Sequence, residues 1–524
     1  MSVELIKKVI TLDEMTRKES SQVVKKQDLI VPDGKPDMQK VVEIEGKIKM
    51  DPIDVTQDRV MYRGNIELCI LYRAVDNSKC MYVMKGRIPF EDVLILDGVN
   101  KDQRVDFDYE IEHISYNVLN ERKIHVETIM KVEAKATGCK DATIITKVES
   151  DEAVESENAN VEIVSLGNEK EDKVIIREEL AVPSNKACIG EIIKTNIIIK
   201  DEQVKRMDNE IKYNGMLELA TMYKSADEDE KLEIVTHRMM FEGSIEDVQR
   251  EEEVYWDCDL SVEPMRIEVV PDYDGEDRII ECECMVIAHY HTYNKDNYNT
   301  VSDVYCPGKK VQTKEMGIEY MNLEDKVSIS MPKKETIEIG EYENDNVEVY
   351  NVMVKPMVEE KKIVDNKLMV KGIMELVAIC LVTTAEGYNV EEVVNLVPFS
   401  QEMDVKKGID KPYISPIVKA KSINIYAQTK KELIVEYIMD CMVDVYSNKE
   451  SKLLEEVQIE DMSKEELDSY PSMTVYQVGK GDTLWSLAKR FNTTVKDILE
   501  INDMEIADCL KEGQKIIILK KVKL

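Results

Sequence analysis

Aromatic side chains are scarce in this chain of 524 residues: there are five Phe and two Trp, and with Tyr the class reaches only 6%. Any place where aromatics recur in register is therefore informative. Basic charge is short as well. Asp and Glu number 105 against 70 Lys and Arg, for a net charge of −35. So large a negative balance repels phosphate backbones and anionic lipid faces while steering toward basic partners, which argues against nucleic acid. Residues 1–8 contain no apolar run of about 7–15 residues and no small-residue cleavage site, so no secretory signal is read there. No stretch approaches the roughly 18 apolar residues that a membrane span requires. The expectation is a chain without a transmembrane segment that stays in the cytosol that made it.

Histidine is limited to five residues, at 113, 125, 237, 289 and 291, too few for a repeated catalytic role. No Gly-x-Ser-x-Gly, Gly-x-Gly-x-x-Gly, Walker-type phosphate loop or His-Glu-x-x-His occurs, so no residue is assigned to catalysis and no enzyme is expected. The eleven Cys have no framework spacing; most lie in apolar runs, as reduced small hydrophobes do. Cys282-Glu283-Cys284, with His289 and His291 nearby, invites a metal reading. A Cys-x-Cys pair on a strand is poorly placed for tetrahedral closure and no second pair exists, so neither metal nor cofactor is expected.

Aliphatic side chain, by contrast, is plentiful. Hydrophobic residues make up 43% of the chain, which rules out disorder as the source of the acidity and supplies several cores. Self-comparison divides the chain. A Gly-x-x-Glu-Leu signature inside an apolar strand occurs at Gly64, Glu67 and Leu68, at Gly215, Glu218 and Leu219, and at Gly372, Glu375 and Leu376, the glycines lying 151 and 157 residues apart. Phe90, Phe241 and Phe399 follow those glycines by 26, 26 and 27 residues, so three of the five Phe occupy one structural position. A long apolar strand closes each unit, starting near Ile124, Ile279 and Leu433. The repeats are placed at 23–137, 177–293 and 328–447, after an N-terminal segment 1–22.

The texture of the repeats is β: short runs of Val, Ile, Tyr and Met alternate with period two and break at Asp76–Ser78, Ala226–Asp229 and Glu386. The expected fold is multidomain, with three mainly β repeats of antiparallel sandwich or barrel-like form. Strand alternation turns Glu67, Glu218 and Glu375 outward while the following leucines point inward. These carboxylates read as solvated or partner-facing, because no second titratable group recurs against them as acid–base chemistry would require. Segments 138–176 and 448–473 read as acidic tethers that self-repel and extend, 448–473 with room for a short amphipathic helix ended by Ser469–Pro471, and 294–327 as a linker.

The last fifty residues change character. From Thr474 onward nine Lys and Arg meet seven Asp and Glu, a net +2 that leaves −37 on the rest. Thr474–Val478 reads as a strand, Gly479–Gly481 as a turn, Asp482 and Thr483 as a helix cap, and Leu484–Phe491 as a helix. A second cap at Asn492–Thr494 opens a helix at Val495–Ile501, and Leu510–Ile518 closes as a strand, giving β-α-α-β. Leu487 and Ile498 read as core. For Trp485 packing in the core is favoured over a binding role.

The run Tyr476, Val478, Gly481, Asp482, Thr483, Leu484, Trp485, Leu487 and Ala488, followed by Phe491, Ile498, Ile501, Asn502, Gly513 and Gln514, resembles a LysM module almost end to end, assigned to 474–520. Glu512 stands where the family often has Pro, and Leu519-Lys520 where it often has Ile-Pro. LysM modules usually bind N-acetylglucosamine-containing glycans in a shallow groove. Carried over by match, that groove would be formed by Gly481, Asp482, Thr483 and Leu484 on one side and Asn502, Asp503 and Met504 on the other.

Three β repeats followed by LysM on an acidic chain resemble the clostridial spore-coat morphogenetic proteins of the SipL type, with SPOCS repeats and a C-terminal LysM module. The resemblance implies a non-enzymatic scaffold of the mother-cell cytoplasm at the forespore surface. Its LysM module would dock to the coat-base ATPase SpoIVA, and its repeats would recruit other spore coat proteins. The alternative is a peptidoglycan- or N-acetylglucosamine-binding protein of the cell wall.

Overall fold

The computed structural model describes residues 4–75, 81–101, 103–151, 153–228, 230–247, 253–340, 346–384, 387–429, 431–505 and 510–520. The expected turns at Asp76–Ser78, at Asp229 and at Glu386 lie outside these residues. The first repeat consists of β1 (Glu4–Ile30), β2 (Met38–Met50), β3 (Asp54–Thr56), β4 (Arg59–Ala74), β5 (Met81–Ile95), β6 (Arg104–Asn120) and β7 (Lys123–Glu149). The second runs through β8 (Glu155–Ala181), β9 (Ile189–Met207), β10 (Glu210–Ser225), β11 (Leu232–Glu246), β12 (Glu253–Pro271) and β13 (Asp277–Tyr305). The third comprises β14 (Lys309–Glu338), β15 (Asn346–Val364), β16 (Lys367–Thr384), β17 (Gly387–Asp404), β18 (Tyr413–Gln428) and β19 (Glu432–Asp461).

All three repeats share one antiparallel topology. The first strand pairs with the last and the last with the one before it, as in β1-β7-β6, β8-β13-β12 and β14-β19-β18. The middle strands form a second sheet, as in β2-β4-β5, β9-β10-β11 and β15-β16-β17, and β3 adds a short arm to β4. The two sheets face each other over a core. In the first repeat that core combines Tyr62, Ile66 and Ile70 of β4 with Val126, Met130 and Val132 of β7, each large aliphatic contributing about 1.5–3 kcal/mol on burial. The expected sandwich is therefore present.

The repeated glycine and phenylalanine are cross-strand partners: Gly64 lies opposite Phe90, Gly215 opposite Phe241 and Gly372 opposite Phe399. A Cβ on these glycines would stand 2.9, 2.7 and 2.9 Å from the facing ring, and on Gly372 2.0 Å from the Met357 carbonyl oxygen on the neighbouring strand. The ring fills the space the missing side chain leaves, so the spacing of 26 or 27 residues is the length of one hairpin measured from Gly to Phe. Glu67 faces outward as expected, whereas Glu218 is only 14% exposed and bonds to the buried Lys200 at 2.5 Å; each also meets a cross-strand arginine, Arg87 at 4.0 Å and Arg238 at 3.2 Å. Those arginines recur 151 residues apart, a signal the sequence held. The third repeat breaks the pattern, with Leu396 opposite Glu375.

The segments read as tethers and linker are strands. Residues 138–149 belong to β7 and 155–176 to β8; 294–305 and 309–327 lie in β13 and β14, and 448–461 in β19. β1 pairs with β7 all the way from Glu4↔Glu149 to Ile30↔Lys123, across register shifts at Ile6/Lys7 and Met15/Arg17, so each sandwich continues into a two-stranded ribbon. The ribbons pack together. Ile10, Ile144, Ile163, Tyr320 and Leu453 share one buried cluster, and Ile145, Val301, Val304, Leu454 and Val457 another. The acidic residues misled because a ribbon covered on one face needs only a stripe of apolar side chain, and the alternating carboxylates remain in water.

The sandwiches also meet around a common centre. Leu71, Met222 and Ile379, which hold one position in the three repeats, are buried together with Ile193 and Tyr350. Facing them across the ladder are Glu43, Lys194 and Asn351, and Lys194 bonds to Glu43 at 2.9 Å and to Glu45 at 2.7 Å. Lys35 pairs with Glu191, and the equivalent Lys186 lies 3.9 Å from Glu348. The same surface of one repeat thus meets the same different surface of the next, a head-to-tail arrangement that closes into a ring.

Gly372→Ala should destabilise the protein by about 1–3 kcal/mol through the clash with Met357. Gly317→Ala, in β14 with nothing near its missing Cβ, should be close to neutral; thermal unfolding compares the two. Lys194→Met strands Glu43, whose side chain is only 13% exposed, and should cost about 3–5 kcal/mol. Adding Glu43→Gln should recover part of that loss in the same measurement.

Candidate functional site in the C-terminal module

After β19 the chain forms α1 (Lys464–Ser469), then β20 (Met473–Gln477), α2 (Leu484–Arg490), α3 (Val495–Ile501) and β21 (Lys515–Leu519); α1 ends at Ser469 as expected, but the apolar residues of the expected amphipathic helix, Leu453, Leu454, Val457 and Ile459, lie in β19 instead, and α1 buries no residue. β20 pairs antiparallel with β21, so the order is β-α-α-β. Leu487 and Ile498 are 1% exposed and form the core with Ile516 and Ile518. Helix starts are set by local chemistry. Thr483 caps α2 in a reciprocal box, accepting from the Ser486 N–H at 3.0 Å while its own N–H donates to the Ser486 hydroxyl at 3.0 Å. Thr494 caps α3 by accepting from the Asp497 N–H at 3.0 Å.

Asp482 is not the cap. Its carboxylate accepts from the Gly479 N–H at 2.7 Å and from the Tyr476 hydroxyl at 3.0 Å, pinning the turn ahead of the helix. The turn needs Gly481 at φ +89°, and Thr483 one residue later has the extended backbone that a cap requires.

Gly481, Asp482, Thr483 and Leu484 lie on the loop into α2, while Asn502, Asp503 and Met504 follow α3. The polar side chains of this groove are largely engaged within the module. The Asn502 amide donates to the Ile498 carbonyl at 2.8 Å and the Ile517 carbonyl at 2.7 Å, and its oxygen accepts from the Ile517 N–H at 2.8 Å. Met504 sulfur accepts from the Gln514 amide at 3.7 Å, and Leu484 packs against the module's core. Asp503 is exposed.

Trp485 does more than pack within the module. Its ring meets Tyr305, at the end of β13, edge to face at 4.8 Å, and its indole N–H donates to Asp303 at 2.8 Å. Lys489 bonds to both oxygens of Asp303 at 2.7 and 2.8 Å, and the Gly308 N–H donates to the Asn492 side chain at 2.7 Å. The module is therefore seated on the tip of the ribbon bundle. Nothing in the sequence marked Asp303 and Tyr305, because a docking pair formed by residues 182 apart leaves no periodic trace.

The other chemistry-bearing candidates do not form a site. Cys282 and Cys284 lie side by side in the second core, Sγ to Sγ 3.3 Å, whereas His289 and His291 point from the opposite face of β13 toward Glu171 and Asp257. Among the described residues no group of three or more potential ligands is placed to hold a metal ion.

A small β-α-α-β module carried on three β sandwiches defines the class of the protein: a mainly β, multidomain chain with a C-terminal binding-type module. Residues 37–119 match the family described as SipL, SPOCS domain, and residues 476–519 match the LysM domain family. The chain thus carries a sporulation-type SPOCS domain and a peptidoglycan-binding-like LysM domain, both non-catalytic families, in the SipL-type combination. No curated protein and no solved structure matches it significantly.

Burial raises the pKa of Asp303, but hydrogen bonds from Lys489 and Trp485 overcome that penalty and hold it below the usual 3.8. The charged form stabilises docking fully above that value, and the contribution is lost as pH falls through the lowered pKa. Trp485→Ala should remove about 1–3 kcal/mol of docking through the lost ring pair and hydrogen bond. Limited proteolysis of 462–472 should show faster cleavage in this variant, and in wild type as the pH drops below about 3.8 relative to neutral pH.

Proposed function

We propose that this protein is a non-enzymatic scaffold for spore coat assembly. It docks through its LysM module to the coat-base ATPase SpoIVA at the forespore surface, in the mother-cell cytoplasm, and gathers further coat proteins on its repeats. The observation that carries this reading is the joining of a SPOCS domain to LysM in one chain. The seating of the module supports it: a scaffold gains from presenting its docking end in a fixed orientation, because less freedom is lost on binding. The charge supports it too, since the acid lies on the repeats and spares the module, so the recruiting surfaces favour basic coat partners and discourage self-association.

The full chain should be captured by immobilised coat-base ATPase, and a chain ending at residue 473 should not. Purified peptidoglycan should retain neither above background. Strong retention of the full chain on peptidoglycan with no capture by the ATPase would overturn the reading in favour of a glycan-binding wall protein.

A further inference from the structure

The two faces of the β20–β21 sheet differ in what covers them. One side sends Ile516 and Ile518 into the core beneath α2 and α3. The other carries Met473 at 62% exposure, Val475 at 64%, Ile517 at 40% and Leu519 at 38%. Met473 stands opposite Leu519 and Val475 opposite Ile517, so these side chains form two adjacent cross-strand pairs. A sheet covered on one face ordinarily alternates apolar inward with polar outward. Here both faces are aliphatic, and the outer one is a small contiguous apolar surface of the kind that marks a contact site.

Its position fits that role. The module meets the body through α2 and the loop after it, by way of Trp485, Lys489 and Asn492. The outer sheet face is left in water. The edges of the sheet differ as well: Asn502 caps Ile517 on the β21 side, while no backbone hydrogen bond outside the ladder reaches Val475 on β20 among the described residues.

We infer that the outer face of β20–β21, comprising Met473, Val475, Ile517 and Leu519, is the surface through which the module grips its protein partner, and that the partner presents an aliphatic strip with a carboxylate at one end. This rests on the reading that the module docks to the coat-base ATPase. The chemistry selects the occupant. A glycan is recognised by stacking on aromatic rings and by hydrogen bonds to hydroxyls, and this face has no ring and one amide, Gln477. Exposed Lys515 lies opposite Gln477 at the end of the face, which places a cation beside the apolar pairs and calls for an acid across the contact. A second copy is disfavoured because each chain brings a charge of −35.

The test uses full-length variants binding to purified coat-base ATPase. Val475→Thr with Ile517→Thr keeps β-formers on an exposed face, so unfolding should match wild type while affinity falls about tenfold or more. Lys515→Glu should weaken binding and lower its dependence on salt. Asp503→Lys probes the groove in the same assay. If the threonine variant binds unchanged and Asp503→Lys is the one that fails, the contact is in the groove and the inference is overturned. If the threonine variant instead changes the sedimentation of the protein alone, the occupant is a second copy and the inference also falls. If wild type shows no affinity for the ATPase, the functional reading fails and the assignment falls with it.

Discussion

Each repeat closes by pairing its first strand with its last, and that ladder runs on past the sandwich. The constraint follows from backbone chemistry: once two extended strands satisfy each other's N–H and C=O groups, continuing the ladder adds a bond per residue, whereas ending it exposes donors that need new partners. The extension would still be a bare two-stranded ribbon, marginal in water. Three such ribbons cure one another by burying Ile10, Ile144, Ile163, Ile318 and Leu453 in a shared core. The arrangement of the sandwiches follows, since repeats held at their ribbons must also meet at their inner sheets, where Leu71, Met222 and Ile379 come together.

The seams of the ring are not alike, and their differences are electrostatic. Between the first and second repeats, Lys194 answers Glu43 and Glu45. Between the second and third, Lys419 meets Asp259 at 2.5 Å and Lys421 meets Glu202 at 2.5 Å. Between all three repeats lies a cavity of about 1140 Å³ whose lining sets Asp106, Asp108, Glu133, Glu359 and Asp444 against Lys18, Lys131, Lys135 and Lys361, with His289 and Tyr293 from the second repeat. Burial and the nearby Glu133 and Asp106 carboxylates raise the pKa of Asp108, and burial with the nearby Lys18 lowers that of Lys361. Both groups are therefore less comfortable charged than they would be in water.

The features readable from the sequence were those written locally or by repetition. The glycine and phenylalanine spacing is a hairpin length, so it survives in one dimension, and the β-α-α-β order of the module rests on caps and turns only a few residues long. One local detail still went astray. Asp482 competes with Thr483 for the role of cap, and the choice depends on whether Tyr476 is near enough to hold the carboxylate. The ribbons escaped because their apolar stripe is thin and becomes a core only when three distant copies are superposed. The contact of Trp485 with Asp303 escaped for the same reason.

That contact changes what the charge of the chain means. On a free tether, a near-neutral module would sample the surroundings of a body bearing −37, and its lysines would be drawn back to the nearest carboxylates. Asp303 converts that diffuse attraction into one specific bond, using Lys489 and Trp485 on the helical side. The outer face of the β20–β21 sheet is left exposed. The body thus orients the module by spending one of its carboxylates, and that orientation determines which face of the small domain is open to another molecule.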